Sequence, residues 1–519
     1  MSGGDHAPDV ADVARCLSPD PTLPASRAEA FRGWVAPRVA GWRRAGLAPP
    51  ERGLNGAAPP PGTGWVHLAT LASPAETGRA AAWAATASFG PAARDAARRL
   101  LTDCLGIGAA APLPAFPSGR EAPPVLDDVL DVLDAFDAPQ LPRVSLWREV
   151  RGRRRAGLWS AILWNRISGD PRELHVGPEC VAAAVAAAEW LDRSLDELLG
   201  AVAAACGIAA WHRDLAGRAM ERRGIHPPGA LAPVASAAAV ARLARLPPED
   251  FAEALRTADL LTPLHPYAAF REGAGLKLVY GAWGQFLGAA AVLGPRIPGS
   301  DAVPRPAPHP APDERPDPPR DLRFRPEAAG QAVLGVTFKK YPGSRALQPT
   351  LAALDALGPV PTKEIDRIEV ITYPYAAALT AAAEPARGAI AAQMHLPTAV
   401  ALRLLAEDAG HPLRAADYAR ANRRETLALA ARVRVTARRF GASDGPVSQR
   451  VRRARVRILL RGGEVLSAER GNAWAPPPPG AIRDRFRRFR VGSSVRDPAS
   501  LPSGAPARAI FATRTGGPR

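Results

Sequence analysis

The stretch HVGPECVAAAVAAAEWLDRSLDELLGAVAAACGIAAW, His175 to Trp211, decides the fold class. Alanine and leucine, the strongest helix formers, fill it, and residues that favour strands are few. It reads as two helices, Glu179 to Leu191 and Leu195 to Trp211, with Asp192 and Ser194 supplying turn and capping chemistry between them. Glu189 interrupts the first apolar run, and His212 and Arg213 bound the second. Both runs fall short of the roughly 20 apolar residues a bilayer span needs, so no membrane helix is expected.

Upstream, Glu76 to Ala111 is helical in pattern: Pro91 opens a helix, and Ala96, Leu100, Leu101 and Leu105 follow at helical spacing. A Pro/Gly break at Pro112 to Pro124 leads to a further helix, Val125 to Phe136. Downstream of GIHPPG (Gly224 to Gly229) come three more, Pro233 to Leu243, Pro248 to Leu260 and Leu276 to Leu293. The block is expected to be an all-helical domain. Pro295 to Pro319 is too poor in apolar residues to pack and reads as a linker.

Beyond the linker the period changes to two. IDRIEVITY (Ile365 to Tyr373), ARVRVTA (Ala431 to Ala437) and RVRRARVRILL-RGG-EVL (Arg450 to Leu466) read as strands, the last with a hairpin turn at Gly462-Gly463. Helices at Leu347 to Leu357 and Pro397 to Glu407 lie among them. The fold class expected is mostly α with a smaller α+β domain. The chain divides into an N-terminal extension (1–75), a helical domain (76–300), a Pro-rich linker (301–325), a lid-like α+β domain (326–475) and an irregular basic C-terminal segment (476–519). At 519 residues it is too long for one ordinary core, which agrees with that division.

A net charge of +17 invites a nucleic-acid or acidic-ligand reading. The arginines of Arg450 to Arg461 and IRDRFRRFR (Ile482 to Arg490) alternate with apolar residues, however, as on the solvent face of a strand or helix. No nucleic-acid-binding motif accompanies them, so that reading is a remote alternative. Cys16, Cys104, Cys180 and Cys206 lie far apart without a CxxC pair, which argues against structural zinc or a disulfide framework. The N-terminus lacks the basic start and apolar core of a signal peptide, and the expected location is cytoplasmic.

Only four of the 67 basic residues are lysine: Lys277, Lys339, Lys340 and Lys363. In so arginine-biased a chain, a retained lysine is a candidate for work that needs a compact, tunable ammonium. Three stretches place lysine or histidine beside residues that keep the backbone tight. GIHPPG holds His226 ahead of two prolines and a helix. GAGLKLVYGAWGQFLGAAA carries Lys277 at the start of an apolar helix, and FKKYPGS puts Lys339 and Lys340 before a Tyr-Pro-Gly turn. A fourth, HVGPEC, places His175 in a loop close behind Asp170.

In their order these phrases resemble the MmgE/PrpD family from about Glu76 onward. AARRLLTDCLGIGAAA is similar to the family's first core helix, and HVGPECVAAAVAAAEWLDRSLDELLGAVAAACGIAAW to its "HPG…PAALALAE" pair. RRGIHPPGALAPVASAAAVARLARLPPEDFAEALRTA resembles the "GFHPTG" segment, GLKLVYGAWGQFLGAAAVLG the lysine helix, FKKYPGSRALQPTLAAL the "K.YP.C" phrase, and HLPTAVALRLL the "SL.YAVA..LL" helix. The resemblance implies a helical domain with an α+β lid, a cleft site between them, a homodimer, and no metal or organic cofactor. It implies lyase or isomerase chemistry on a small anionic carboxylate substrate, a di- or tricarboxylate. Position by position it marks His226 as proton shuttle and Lys277 and Lys339 as carboxylate clamps, with His175 and Asp170 in catalytic support. Lys340, Ser344, Gln348 and Thr398 then fall among the substrate-binding positions.

Several positions depart from the family pattern. WNRISGDPRELH is a shortened acidic loop that offers Asp170, with Glu173 as substitute. Ser344 and Gln348 stand where the family has cysteine and histidine, Thr398 where it has tyrosine, and His395 where it has serine. These changes fall on acidic and acid-donating partners while the basic groups stay. A homologue that keeps the fold and binds an acid without turning it over is therefore the alternative to a lyase.

Overall fold

The computed structural model describes residues 74–110, 142–150, 153–167, 178–222, 225–262, 271–272, 280–294, 323–386, 388–406, 415–440, 452–471, 479–489 and 495–511. The N-terminal extension to residue 73, the expected helix Val125 to Phe136, the proline stretch up to residue 322, and Asp170, Glu173, His175 and Lys277 lie outside the described residues.

The first body is built from α1 (Pro74–Thr86), α2 (Pro91–Ala110), strands β1 (Val144–Val150) and β2 (Arg153–Ala156), α3 (Leu158–Ile167), α4 (Pro178–Trp190), α5 (Leu195–Arg222), α6 (Pro227–Leu243), α7 (Pro248–Leu260) and α8 (Tyr280–Leu293). Proline opens α1, α2, α4, α6 and α7, where its missing N–H has no helical partner to lose. Between α4 and α5, Asp192 takes a left-handed φ of 51°. Ser194 and Glu197 then close a capping box, the Ser194 N–H donating to the Glu197 carboxylate at 2.9 Å and the Glu197 N–H to Ser194 Oγ at 3.2 Å.

Helix α6 is the axis of this body. Every residue from Pro228 to Ala241 is buried, and α4, α5, α7 and α8 pack around it. A helix buried on all sides needs apolar residues all round, and its alanines let neighbours come close. Gly284 and Gly288 of α8 bring that helix closest: a Cβ on Gly284 would lie 2.7 Å from the Ala232 methyl, and one on Gly288 would overlap Ser236 Oγ and the Pro233 carbonyl oxygen. Contacts that advance together along both helices mean that α6 and α8 run parallel, with their N-termini at the same end.

The body is not all helical, because β1 and β2 form an antiparallel pair. Val144, Leu146 and Trp147 are buried, and the Trp147 N–H donates to Asn165 Oδ1 of α3 at 2.9 Å. The arginine-rich partner strand, with Arg153, Arg154 and Arg155 exposed, hid this hairpin in the sequence.

Pro326 to Phe338 also joins the helical core, although the sequence reading placed it in the second domain: Ala329 and Val333 are in that core, and Val336 and Phe338 pack against it. Tyr341 already lies in the second core. The chain therefore crosses from one core to the other between Phe338 and Tyr341.

The second core has α9 (Gln348–Leu357) and α10 (Leu396–Leu404) on a four-stranded sheet. The sheet is made of β3 (Ile365–Thr372), β4 (Val433–Ala437), β5 (Arg453–Leu460) and β6 (Val465–Gly471), in the order β4-β3-β5-β6. Strands β3 and β4 are parallel and the other pairs antiparallel. Ile368, Val370, Val456 and Ile458 are buried on the inner face. On the outer face Arg457 pairs with Glu369 at 2.8 Å and Arg455 with Glu469 at 2.7 Å, so the basic alternation of β5 is largely answered by neighbouring glutamates. The β5–β6 turn carries Gly463 at φ 87°, a conformation that favours glycine.

The C-terminal segment, expected to be irregular, instead returns to the helical body. Helix α11 (Pro479–Phe489) buries Ile482 and Phe486, and Phe486 presses on Gly106 of α2. Its apolar residues at i and i+4 are masked in the sequence by the surrounding arginines. Farther on, the Leu195 N–H donates to the Ala505 carbonyl at 2.7 Å, and Val495, Ala507 and Ile510 enter the first core.

Candidate active site

His226 is the N-cap of α6, extended at φ −81°, ψ 116°, so the helix begins at Pro227 rather than at Pro233 as the sequence suggested. Pro227 and Pro228 fill the first turn, where they interrupt no hydrogen bond. Pro233 sits within the helix and cannot donate to the Gly229 carbonyl, and Gly284 of α8 approaches that oxygen.

The parallel run of α6 and α8 brings Tyr280, the first described residue of α8, onto His226. The Tyr280 hydroxyl is hydrogen-bonded to His226 Nδ1, the rings meet edge to face with centroids 5.4 Å apart, and both side chains are 5% exposed. The N-terminus of α6, the positive end of a peptide dipole, thus lies beside an imidazole paired with a phenol. Sequence reasoning passed over Tyr280. The available signal was its position one helical turn after Lys277 in GLKLVYG; its partner lies 54 residues away in sequence and declares itself only through the packing of α8 on α6.

Lys339 lies where the chain crosses between the cores and is 5% exposed, an unusual place for an ammonium. Its Nζ donates to the Gly343 carbonyl at 3.0 Å across the Tyr-Pro-Gly turn. The turn itself is held from several sides. Gly343 takes φ 100°, and a Cβ there would lie 2.7 Å from the Tyr418 hydroxyl. Tyr418 donates to the Pro342 carbonyl at 2.9 Å, and the Ser344 N–H to the Gln393 carbonyl at 2.8 Å. Gln348 accepts from the Tyr341 N–H at 3.1 Å and donates back to the Tyr341 carbonyl at 2.9 Å.

Lys340 points elsewhere, to Asp355 at 2.7 Å. Asp355 also accepts from Arg403 at 2.6 Å and from the Tyr341 hydroxyl. Burial works against the Asp355 carboxylate, but the hydrogen bonds from Lys340, Tyr341 and Arg403 outweigh it and hold its pKa below the ordinary value. Ser344 Oγ accepts from the Ala346 N–H at 3.2 Å and caps the following turn.

Thr398 is tied to His395, the N-cap of α10. His395 Nδ1 accepts from the Thr398 N–H at 3.2 Å and lies 2.7 Å from its hydroxyl, while Nε2 donates to the Ala382 carbonyl at 3.0 Å. Burial pulls the His395 pKa down, with the bond to Ala382 in partial opposition.

Three of the expected residues, Lys339, Ser344 and Gln348, therefore share one turn in the second core. Thr398 sits just beyond Gln393, which braces that turn. His226 stands with Tyr280 in the helical body, and Lys277, His175 and Asp170 lie outside the described residues. Cys104, Cys180 and Cys206 are buried thiols that form no disulfide. Burial pushes the Cys206 thiol up to about 12, so it is not a thiolate nucleophile near neutral pH. Among the described residues no group of three or more His, Cys, Asp and Glu is placed to hold a metal ion, and no helix is long and apolar enough to cross a membrane.

Fold and site together define a mostly helical protein with a smaller α+β part and a buried histidine at a helix N-terminus. Residues 170–263 match the family model of the MmgE/PrpD N-terminal domain, and this match supports membership of the chain in the MmgE/PrpD family. The matched stretch contains α4 to α7 and His226. No curated protein matches the chain.

Proposed function

We propose that the protein is a cofactor-independent lyase, a dehydratase or decarboxylase, or a related isomerase, acting on a di- or tricarboxylate. The observation that carries this reading is His226, buried as the N-cap of the central helix within the matched stretch and paired with a phenol. Breaking a bond next to a carboxylate builds negative charge on an already anionic molecule. Cations in a dry cleft lower that barrier most. In this reading His226 moves the proton, and Lys339 and Lys277 hold the carboxylates, with His175 and Asp170 in support. A homodimer and a cytoplasmic location belong to the same reading.

The test is an assay of the full chain against methylcitrate, cis-aconitate and citrate, beside Lys277→Ala, Lys339→Ala and His226→Asn. At least one acid should be turned over, with His226→Asn slower by about 10²–10⁴-fold if the histidine moves the proton. If wild type and the lysine variants are alike inert and none binds any acid, the reading is wrong. Binding of an acid without turnover would favour an acid-binding homologue. That second reading draws on Ser344, Gln348 and Thr398, whose polar groups are engaged with neighbouring protein atoms.

A further inference from the structure

The His226–Tyr280 pair admits two arrangements of protons with different chemistry. A neutral imidazole carries one N–H. If Nδ1 held it, the phenol oxygen would accept and Nε2 would be a bare lone pair, able to take a proton. If the phenol donates to Nδ1, the N–H sits on Nε2 and the ring starts as a donor.

The partners' intrinsic strengths decide between them. A phenol, with a pKa of about 10, is a far better donor than a neutral imidazole N–H, and the imidazole lone pair, whose conjugate acid has a pKa of about 6.5, is a better acceptor than a phenol oxygen. The surroundings agree, since the N-terminus of α6, which His226 caps, disfavours a charged imidazolium and favours any negative charge that develops on the phenol oxygen beside it.

We propose that Tyr280 is a positioning residue that donates its phenol proton to His226 Nδ1, fixing the imidazole as the Nε2–H tautomer and backing it as a proton donor. This rests on the reading of His226 as the proton-moving group. When a carbanion or enolate carbon forms in the substrate, its electron pair takes the Nε2 proton and the N–H bond breaks. The phenol proton passes to Nδ1, so the ring stays neutral and the phenolate is left beside the N-terminus of α6, to be reprotonated from water. The base that first removes a carbon-bound proton, where the reaction needs one, is then a different group.

The pairing also bears on Thr398. The tyrosine that the family resemblance expects at position 398 is a threonine here, but a buried phenol stands beside His226 in the helical body at Tyr280.

The experiment is long-range proton–nitrogen NMR on the full chain labelled with ¹⁵N-histidine, at a pH above the imidazole range. His226 is assigned as the signal absent from His226→Asn. The expected wild-type result is a single Nε2–H tautomer: Nε2 in the protonated range and Nδ1 in the unprotonated range. Tyr280→Phe should lose this signature and give a mixture of tautomers, and 3-fluorotyrosine at position 280, a stronger donor of nearly the same shape, should move the Nδ1 signal further toward the protonated range. Should wild-type Nδ1 carry the proton, the proposal is overturned whether or not the variants fold. Unchanged His226 signals in a folded Tyr280→Phe protein would overturn it too. No substrate is required, so an absence of turnover in the acid panel would strike the lyase reading while leaving this measurement to decide the tautomer.

Discussion

Gly288→Ala probes the packing that brings His226 and Tyr280 together. The added methyl would overlap the Pro233 carbonyl oxygen and Ser236 Oγ and come within 2.9 Å of the Ala237 nitrogen. Two of those atoms are backbone of the central helix, so no side-chain rotation relieves the clash and α8 must move off α6. Overpacking of this kind costs about 3 kcal/mol at the upper end of its usual range. Separation also strains the bond from Ser236 Oγ to the Gln285 carbonyl, 3.1 Å long, worth about 1 kcal/mol more. Against a total stability of about 5–15 kcal/mol this is a large loss. Gly78→Ala in α1 is the control: nothing lies within 4 Å of its new Cβ, and alanine in a helix interior gains about 0.5–1 kcal/mol over glycine. Gly284→Ala, meeting mainly the Ala232 methyl, should fall between Gly288→Ala and wild type. Urea unfolding followed by circular dichroism gives the order. If Gly288→Ala is as stable as wild type, α8 does not pack on α6 as described, and the His226–Tyr280 pairing loses its support.

Asp355→Asn removes the negative charge that Arg403, Lys340 and Tyr341 share and should destabilise the second core by about 3 kcal/mol, read as a lower urea midpoint. Because the folded-state pKa of Asp355 is depressed, its contribution is present above the unfolded carboxyl value of about 3.9 and fades as pH falls through the folded value. The variant should lack that acid slope, and equal acid slopes in both proteins would refute the assignment. His395→Ala should lose about 1 kcal/mol of capping, and His395→Asn, which can cap, most of that loss regained. Since burial lowers the His395 pKa, the unfolded chain binds more protons just below about 6.5, so stability declines as pH falls from there toward the folded value, and His395→Asn should be flatter over the same window in thermal melts. A gel-shift titration at physiological ionic strength should show no salt-sensitive nucleic-acid binding, because arginines of β5 are paired with Glu369 and Glu469; a clear shift would revive the basic-protein reading.

The helices were legible wherever one signal dominated. Pro248–Leu260 is bounded as the sequence indicates, and Ile365–Thr372 was plain from its alternation. The failures share a cause, a local signal overruled by a distant partner. Pro233 looks like a helix start, yet α6 runs through it, with Gly284 of α8 lying close to the carbonyl it frees. The β1–β2 hairpin is written largely in arginine, and its anchors, Asn165 and Glu189, belong to helices elsewhere in the chain. Ile482 and Phe486 are two apolar residues among arginines, and the place that Phe486 finds against Gly106 of a helix far away in sequence is not legible locally. For the site, the scarcity of lysine drew attention to Lys339, which proved to be buried. For Tyr280 the local signal is slight, its place three residues after Lys277, because a tyrosine next to a glycine in an apolar helix is ordinary until an imidazole is set against it.

The departures from the family pattern in the second core have a common physical sense. His395 in place of serine still caps α10, since an unprotonated imidazole nitrogen accepts the Thr398 N–H as a hydroxyl would, and its low pKa keeps it able to do so. Gln348 offers both an acceptor and a donor to the Tyr341 backbone, a pairing that one histidine ring nitrogen could not make alone. Ser344 caps the next turn. Each replacement serves the backbone of the turn that carries Lys339, and the described hydrogen bonds of Ser344, Gln348 and Thr398 run to neighbouring protein atoms. On the proposed reading the second core then contributes charge through Lys339, and proton movement is concentrated in the helical body. Exchanging Gln348 for histidine would consequently loosen the Lys339 turn and lower stability without adding turnover, whereas Tyr280→Phe would leave that turn intact and slow the proton step, a contrast that thermal melts and the acid panel together resolve.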